Sequence, residues 1–189
     1  GEVKAIVGGR GDKTASKTLN RATDTTRQPG STFKILAAYS AALDAGGLTL
    51  ASVQDDAPYT YAGANGKSVN NYDRRYRGFT TLREAITDSI NIVTVKTLAQ
   101  AGVSLGWQYV QEYGFTTVDS RDMNEALALG GITQGVSNLE LTAAYAAIAN
   151  QGTYIKPKFY TKILDHDGNV LIDNTTPESH TVIKDTTAW

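Results

Sequence analysis

The stretch RQPGSTFK, residues 27–34, places Ser31 directly after Pro29-Gly30 and Lys34 three residues later. A serine hydroxyl is a poor nucleophile at neutral pH and needs a base to take its proton. Lysine is such a base only when neutral, which requires that burial lower its pKa. The spacing suits the pairing, because i and i+3 on a helix emerge on one face about a turn apart. A serine at a helix start also has its N–H among the unpaired donors of the first turn, where the positive helix end favours negative charge on a nearby oxygen. The pair could therefore act as a nucleophile with its base. A plainer account is that Ser31 caps the helix and Lys34 snorkels to solvent. S-x-x-K strings are common by chance, and taken alone the pair favours the plainer account.

The element that must hold these residues is the run STFKILAAYSAAL, Ser31 to Leu43, which is rich in helix formers and stops at Asp44-Ala45-Gly46-Gly47. Between Thr32 and Leu43, Tyr39 aside, Lys34 is the only ionisable residue. A helix apolar nearly all round belongs in a core, where a lysine is desolvated. A second constellation interrupts TTLREAITDSINIVTVKTLAQAG: Asp88, Ser89 and Asn91 all prefer caps and turns and fall almost in succession. A short turn there would present a hydroxyl able to relay a proton to or from a lysine. It would also present a carboxamide able to donate to a substrate carbonyl and accept from a substrate N–H. A helix C-cap followed by an N-cap accounts for the same residues without catalysis.

Elsewhere, VKAIV at residues 3–7 reads as a strand entering the turn Gly8-Gly9, and residues 10–30 read as loop or edge structure. Residues 51–79 form a long polar connection with Pro58, Asn65-Gly66 and several tyrosines, a length that points to a functional or mobile loop. Thr81 and Glu84 predict a capping box opening a helix over about 81–88. Further helices are predicted over Ile92–Ala101 and Ser104–Tyr113, and one over 137–150 capped by Ser137 with Glu140. KFYTKIL and NVLI, joined by Asp165-His166-Asp167-Gly168, predict a β-hairpin. Strand, helices and hairpin in that order suit an α+β domain with helices packed on an antiparallel sheet.

With these motifs in hand, the chain resembles the transpeptidase domain of class A penicillin-binding proteins. Ser31-Thr32-Phe33-Lys34 and Ser89-Ile90-Asn91 match the S-x-x-K and S-x-N motifs of penicillin-binding proteins and serine β-lactamases. GEVKAIVGGR, LNRATDTTRQPGSTFK, GFTTLREAITDSIN and LALGGITQGVSNLELTAAYAAIANQGTYIKP extend the resemblance over most of the chain in order. It implies a β-lactamase/transpeptidase-like fold. It implies that Ser31 attacks the penultimate D-alanine carbonyl of a peptidoglycan stem peptide, Lys34 takes its proton, Ser89 shuttles it to the leaving D-alanine, and Asn91 orients the peptide. β-Lactams would acylate the same serine, and the Ser31 N–H would be one oxyanion donor. The family's K-[ST]-G motif is absent; the Lys-Thr pairs at 13–14, 17–18 and 96–97 lack the glycine. Residues 1–189 are therefore expected to be the N-terminal and central part of one domain. Its remaining sheet strands would follow Trp189 or form a separate chain. Val93 also stands where the family often has proline.

Other classes find less support. Hydrophobic residues at 41% and charged residues at 20% describe a globular chain. Eighteen basic against nineteen acidic side chains give a net charge of −1, which supplies no field for nucleic acid or an anionic membrane. There is no cysteine, and with only His166 and His180 neither a metal site, a cofactor nor a Ser-His-Asp triad is expected. GGRGDKT matches no phosphate-loop spacing. Arg74, Arg75 and Arg77 with Tyr72 and Tyr76 read as a solvated loop, with Tyr72 and its neighbours at a cleft rim. No apolar run reaches the roughly 18 residues of a membrane span. The resemblance implies the extracytoplasmic face of a bacterial membrane, with an anchor outside this chain. A carboxypeptidase or β-lactamase, or a non-catalytic β-lactam sensor, would share Ser31 and Lys34; no E-x-x-L-N string is present to activate water as in class A lactamases.

Overall fold

The apolar run that begins at Ser31 does form a buried helix, and the rest of the chain wraps it. In the computed structural model, which describes residues 1–62 and 66–189, this helix is irregular. It opens as a 3-10 turn at Gly30–Thr32, widens to a π turn over Ile35–Tyr39 and closes as α1, Ser40–Asp44. Ser31 is thus inside the first turn rather than the capping residue; Pro29 occupies that place without a side-chain cap. Wide turns of this kind concentrate at functional sites.

Three helices follow: α2, Leu82–Thr87, breaks at Asp88-Ser89 and resumes as α3, Asn91–Ala101, and α4, Val103–Glu112, comes next; α3 and α4 pack on α1 and its preceding turns. Phe33, Leu36, Ala37 and Ala38 are fully buried with Ile92, Val95, Leu98 and Val110. Tyr39, Leu82, Ala85, Ile90 and Val93 form a second buried cluster on the far side. The alanines let the helices approach closely. At Gly106 a Cβ would lie 2.5 Å from the Ala37 carbonyl oxygen. Phe33 packs edge-on against Phe115, centroids 5.0 Å apart.

The long connection before α2 is less featureless than its polarity suggested. It carries β2, Val53–Asp56, paired with β5, Gly78–Thr81, and a small ladder of β3, Tyr59–Thr60, with β4, Ser68–Val69. Polar strands this short carry no hydrophobic alternation, so periodicity could not reveal them. Asn65, part of the turn signal there, lies outside the described residues. Upstream, β1, Thr26–Arg27, pairs with β6, Val136–Ser137, which feeds α5, Asn138–Ala149. Then β7, Thr153–Ile155, pairs with β10, Ser179–Thr181, and the expected hairpin forms from β8, Lys162–Leu164, and β9, Val170–Asp173. His180 lies in β10, opposite Tyr154. A short α6, Asp185–Ala188, follows. Among the described residues, all five strand pairs are antiparallel and two-stranded.

The expected capping boxes are both present: Thr81 with Glu84 and Ser137 with Glu140. The strand expected at residues 3–7 is not. Only Glu2 bridges Lys158, with the Val3 N–H donating to the Lys158 carbonyl at 2.9 Å. Beyond that point no strand partner runs beside residues 4–7 among the described residues, and Val7 is 79% exposed. Alternation marks a surface suited to pairing but does not supply the neighbour. Among the described residues no helix is long and apolar enough to cross a membrane.

The segment before Ser31 is clamped by LALGGITQG. Gln28 exchanges two hydrogen bonds with the Ile132 backbone, the Ile132 N–H donating to Gln28 Oε1 at 2.8 Å. Gly130, at φ +71°, presses on Gly30, where a Cβ would meet the Gly30 nitrogen and oxygen at 2.6 Å. Gly130→Ala is therefore expected to lower unfolding free energy by about 2–4 kcal/mol, from left-handed strain and overpacking together. Urea melts of the purified variant measure it; a change under about 0.5 kcal/mol, the size of an ordinary surface substitution, would show that the clamp is slack.

Candidate active site

The four residues singled out by type and spacing come from two elements that the sequence separates by more than fifty positions. Ser31 stands on the 3-10 opening of the buried helix and Lys34 just before its π turn, and Ser89 and Asn91 stand on the α2–α3 junction. Lys34 joins the two. Its Nζ donates to the Ser89 carbonyl oxygen at 2.6 Å, to Ser89 Oγ at 2.9 Å and to Asn91 Oδ1 at 2.6 Å. An ammonium has three donors, and all three are satisfied. The side chain does not snorkel: Lys34 is 3% exposed. Burial alone lowers its pKa from the ordinary 10.5 to about 8, since no carboxylate lies close enough to hold the charge.

The junction has the geometry of a helix stop. The Ile90 N–H reaches back to the Ala85 carbonyl at 2.9 Å and the Ser89 N–H to Ile86 at 3.2 Å, the paired bonds of a Schellman motif. The residue between them must be left-handed, usually glycine; here it is Ser89, at φ +53°. A side chain there costs on the order of 1 kcal/mol. In return the same residue aims both its carbonyl and its hydroxyl at one amine. Asn91 is the first residue of α3, and its Nδ2 donates to the Asn70 carbonyl at 2.7 Å, leaving one amide N–H for another acceptor.

Ser31 itself is exposed, and with all three Lys34 donors engaged elsewhere no bond from Nζ runs to it. The Thr32 carbonyl beside it accepts from the Tyr145 hydroxyl at 2.6 Å, and the Thr32 hydroxyl donates to Pro29 O at 2.7 Å. These contacts, with Gln28 and Gly130, fix the turn that carries Ser31. The Tyr145, Gln28 and Gly130 contacts were not foreseen from the sequence, because each joins residues a hundred or more positions apart. Loss of a proton leaves Lys34 with two N–H groups and one lone pair. Ser89 Oγ can then reverse its role and donate, so a proton can pass between Lys34 and Ser89. Such an arrangement can activate a hydroxyl and return its proton to a leaving group.

The other sequence features stay outside this cluster. His166 lies in the exposed hairpin turn, and His180 Nε2 pairs with the Glu112 carbonyl oxygen at 2.8 Å. Glu125, on the 3-10 segment Glu125–Leu129, is taken up by the Tyr59 hydroxyl and the Ala62 N–H, each at 2.9 Å. Tyr72 is fully exposed two residues beyond Asn70.

The penicillin binding protein transpeptidase domain family matches residues 1–189. Penicillin-binding protein 1F of Bacillus subtilis (strain 168) is 41% identical over 189 residues, covering 100% of this chain and 25% of that protein. The crystal structure of penicillin-binding protein 1A from Haemophilus influenzae superposes with a TM-score of 0.72 at 33% identity, over 86% of this chain and 24% of that one. A penicillin G acyl-enzyme complex of penicillin-binding protein A from M. tuberculosis shares the fold, with a TM-score of 0.77 at 23% identity over 94% of this chain and 45% of that one. The chain thus spans about a quarter of the length of its curated relatives. It has the mixed helix and antiparallel-strand fold of these domains, and it belongs to the penicillin binding protein transpeptidase domain family.

Proposed function

We propose that Ser31 is the nucleophile of a D,D-transpeptidase that cross-links peptidoglycan stem peptides and is inhibited by β-lactams. The observation that carries this reading is the buried Lys34 amine held against Ser89 and Asn91. Neutral Lys34 takes the Ser31 proton as Oγ adds to the penultimate D-alanine carbonyl carbon. The tetrahedral oxyanion is met by the Ser31 N–H, which in the first helical turn has no upstream carbonyl to bond. As the C–N bond breaks, the proton passes through Lys34 and Ser89 Oγ to the departing D-alanine nitrogen. The spare amide N–H of Asn91 donates to the bound peptide. The Ser31 ester then transfers to an amine of a neighbouring stem, which restores the hydroxyl. A second oxyanion donor and a cation for the substrate carboxylate we place on a K-[ST]-G strand outside these 189 residues. The partners are thus a stem peptide ending in D-Ala-D-Ala, β-lactams and the remainder of the domain, and the setting is the extracytoplasmic face of the membrane.

Mass analysis after incubation with labelled penicillin tests the core of this reading in the protein as its gene encodes it. A penicilloyl adduct is expected on the peptide containing Ser31 and is expected to vanish in Ser31→Ala; an adduct elsewhere refutes the assignment. An adduct released within seconds would instead mark a hydrolase.

Because the base form of Lys34 has lost a proton, acylation should quicken as pH rises. At pH 7 about a tenth of Lys34 is neutral if its pKa is near 8. The acylation rate should climb through about pH 8 and level above it. A rate flat from pH 6 to about 9, across the window set by that pKa, would remove Lys34 as the base.

Ser89→Gly and Ser89→Ala separate strain from chemistry. Both are expected to slow acylation by about 100-fold or more through the lost relay. Only the glycine variant should gain stability, about 1 kcal/mol, by relieving the left-handed residue. Equal melting of the two variants would show that φ at this position carries no cost.

A further inference from the structure

We propose that Asn71, in the connection before α2, is a positioning residue that sets Asn91, and through it the Lys34 amine. α3 starts without a cap of its own: Ile90 provides no side-chain hydrogen bond to the first turn. Asn71 caps it from twenty positions away. Its Oδ1 accepts from the Asn91 N–H at 3.1 Å and from the Ile92 N–H at 3.2 Å. Its Nδ2 donates to both oxygens of Asp56, at 2.7 and 2.9 Å, and to the Arg75 carbonyl at 2.8 Å. Asn71 is 4% exposed and Asp56 fully buried.

Donor and acceptor ends of Asn71 are thus both engaged, and its amide can sit only one way round. Asp56 also accepts from the Arg77 N–H at 2.9 Å. The Arg77 guanidinium lies 3.8 Å from Asp56, 3.0 Å from Asp73 and 3.9 Å from Asp88, the residue before Ser89. The preceding residue, Asn70, supplies the carbonyl that takes Asn91 Nδ2. Backbone and side chain of Asn91 are therefore gripped by two consecutive residues of one loop, while its Oδ1 faces Lys34. Removing Asn71 leaves two helix N–H groups unpaired and frees Asn91 to turn.

The consequence reaches Lys34. Its Nζ is faced by Ser89 and Asn91, and burial is what lowers its pKa. An ammonium that loses the Asn91 acceptor but stays buried is less stable, so its pKa falls further. Asn71→Ala itself adds or removes no charge among the ionisable groups of the network, Asp56, Asp73, Arg77 and Asp88.

The inference rests on the role proposed for Ser31, so the test reads both separately. Asn71→Ala and the polarity-swapped double variant Asp56→Asn/Asn71→Asp are compared with the parent in the protein as its gene encodes it. Two quantities are measured: penicillin acylation rate against pH, and the Lys34 titration by NMR of its 13Cε. For Asn71→Ala the Lys34 midpoint should fall by about half a pH unit or more. Acylation above pH 8 should slow roughly 10- to 100-fold, the size of a misplaced reacting group. The swapped pair restores a donor–acceptor contact and should recover much of both. An unchanged Lys34 midpoint in folded Asn71→Ala overturns the positioning role. So does a loss confined to the fraction of reactive protein, with the surviving molecules reacting at the parent rate. Absence of any adduct on the parent Ser31 instead refutes the acyl-transfer reading, and the NMR titration still decides the role of Asn71.

Discussion

A buried ammonium without a counter-ion is the constraint around which the structure is arranged. Moving the Lys34 pKa from 10.5 to about 8 corresponds to about 3 kcal/mol against the charged form. A carboxylate partner would remove that penalty and would also make the amine useless as a base, since an opposite charge raises a lysine pKa. Three uncharged acceptors give the intermediate result: they satisfy every donor yet leave the proton removable. All three lie within Ser89–Asn91. The α2–α3 junction must therefore point at the helix that carries Lys34, and both must be rigid.

Rigidity comes from different sources on the two sides. The helix is held by burial, its alanines admitting α3 and α4 to close range. Its opening turn, where Ser31 is exposed, is held by polar and backbone contacts from the chain around Gly130, Ile132 and Tyr145. The junction is backed on its inner side by Ile90 and Ala85 and on its outer side by the Asn70–Asn71 loop. Apolar packing thus supports Lys34, and hydrogen bonds support the turn that carries Ser31 and the junction that faces the amine.

This division explains what could be read in advance. Ser31, Lys34, Ser89 and Asn91 could be singled out because each pair is local and its residue types are unusual for the helices that carry them. The capping boxes at Thr81 and Ser137 were legible for the same reason, spacing within one turn. The strand at residues 3–7 failed because alternation says nothing about a neighbour. The 3-10 and π turns were hidden because an all-apolar helix has no polar face whose period could betray a change of pitch. Asn71, Gln28 and Tyr145 act across 20 to 113 residues, and one sequence without its fold carries no sign of such pairings. The family resemblance implied roles for the motif residues, but not the contacts that hold them.

The left-handed Ser89 shows how closely the two kinds of support are coupled. A glycine would end α2 with less strain, and a right-handed residue would continue the helix and carry its carbonyl away into the next turn. Only a left-handed residue turns its carbonyl toward Lys34, and only one with a hydroxyl adds a second acceptor that can also donate. One position therefore supplies two of the three contacts to the amine, at the cost of a backbone conformation that side chains disfavour. That conformation persists because Ile90 is locked into the core on one side and Asn91 is gripped by the loop on the other. Strain at Ser89 and the remote cap on α3 are two parts of one arrangement, the first aiming the acceptors and the second keeping them aimed.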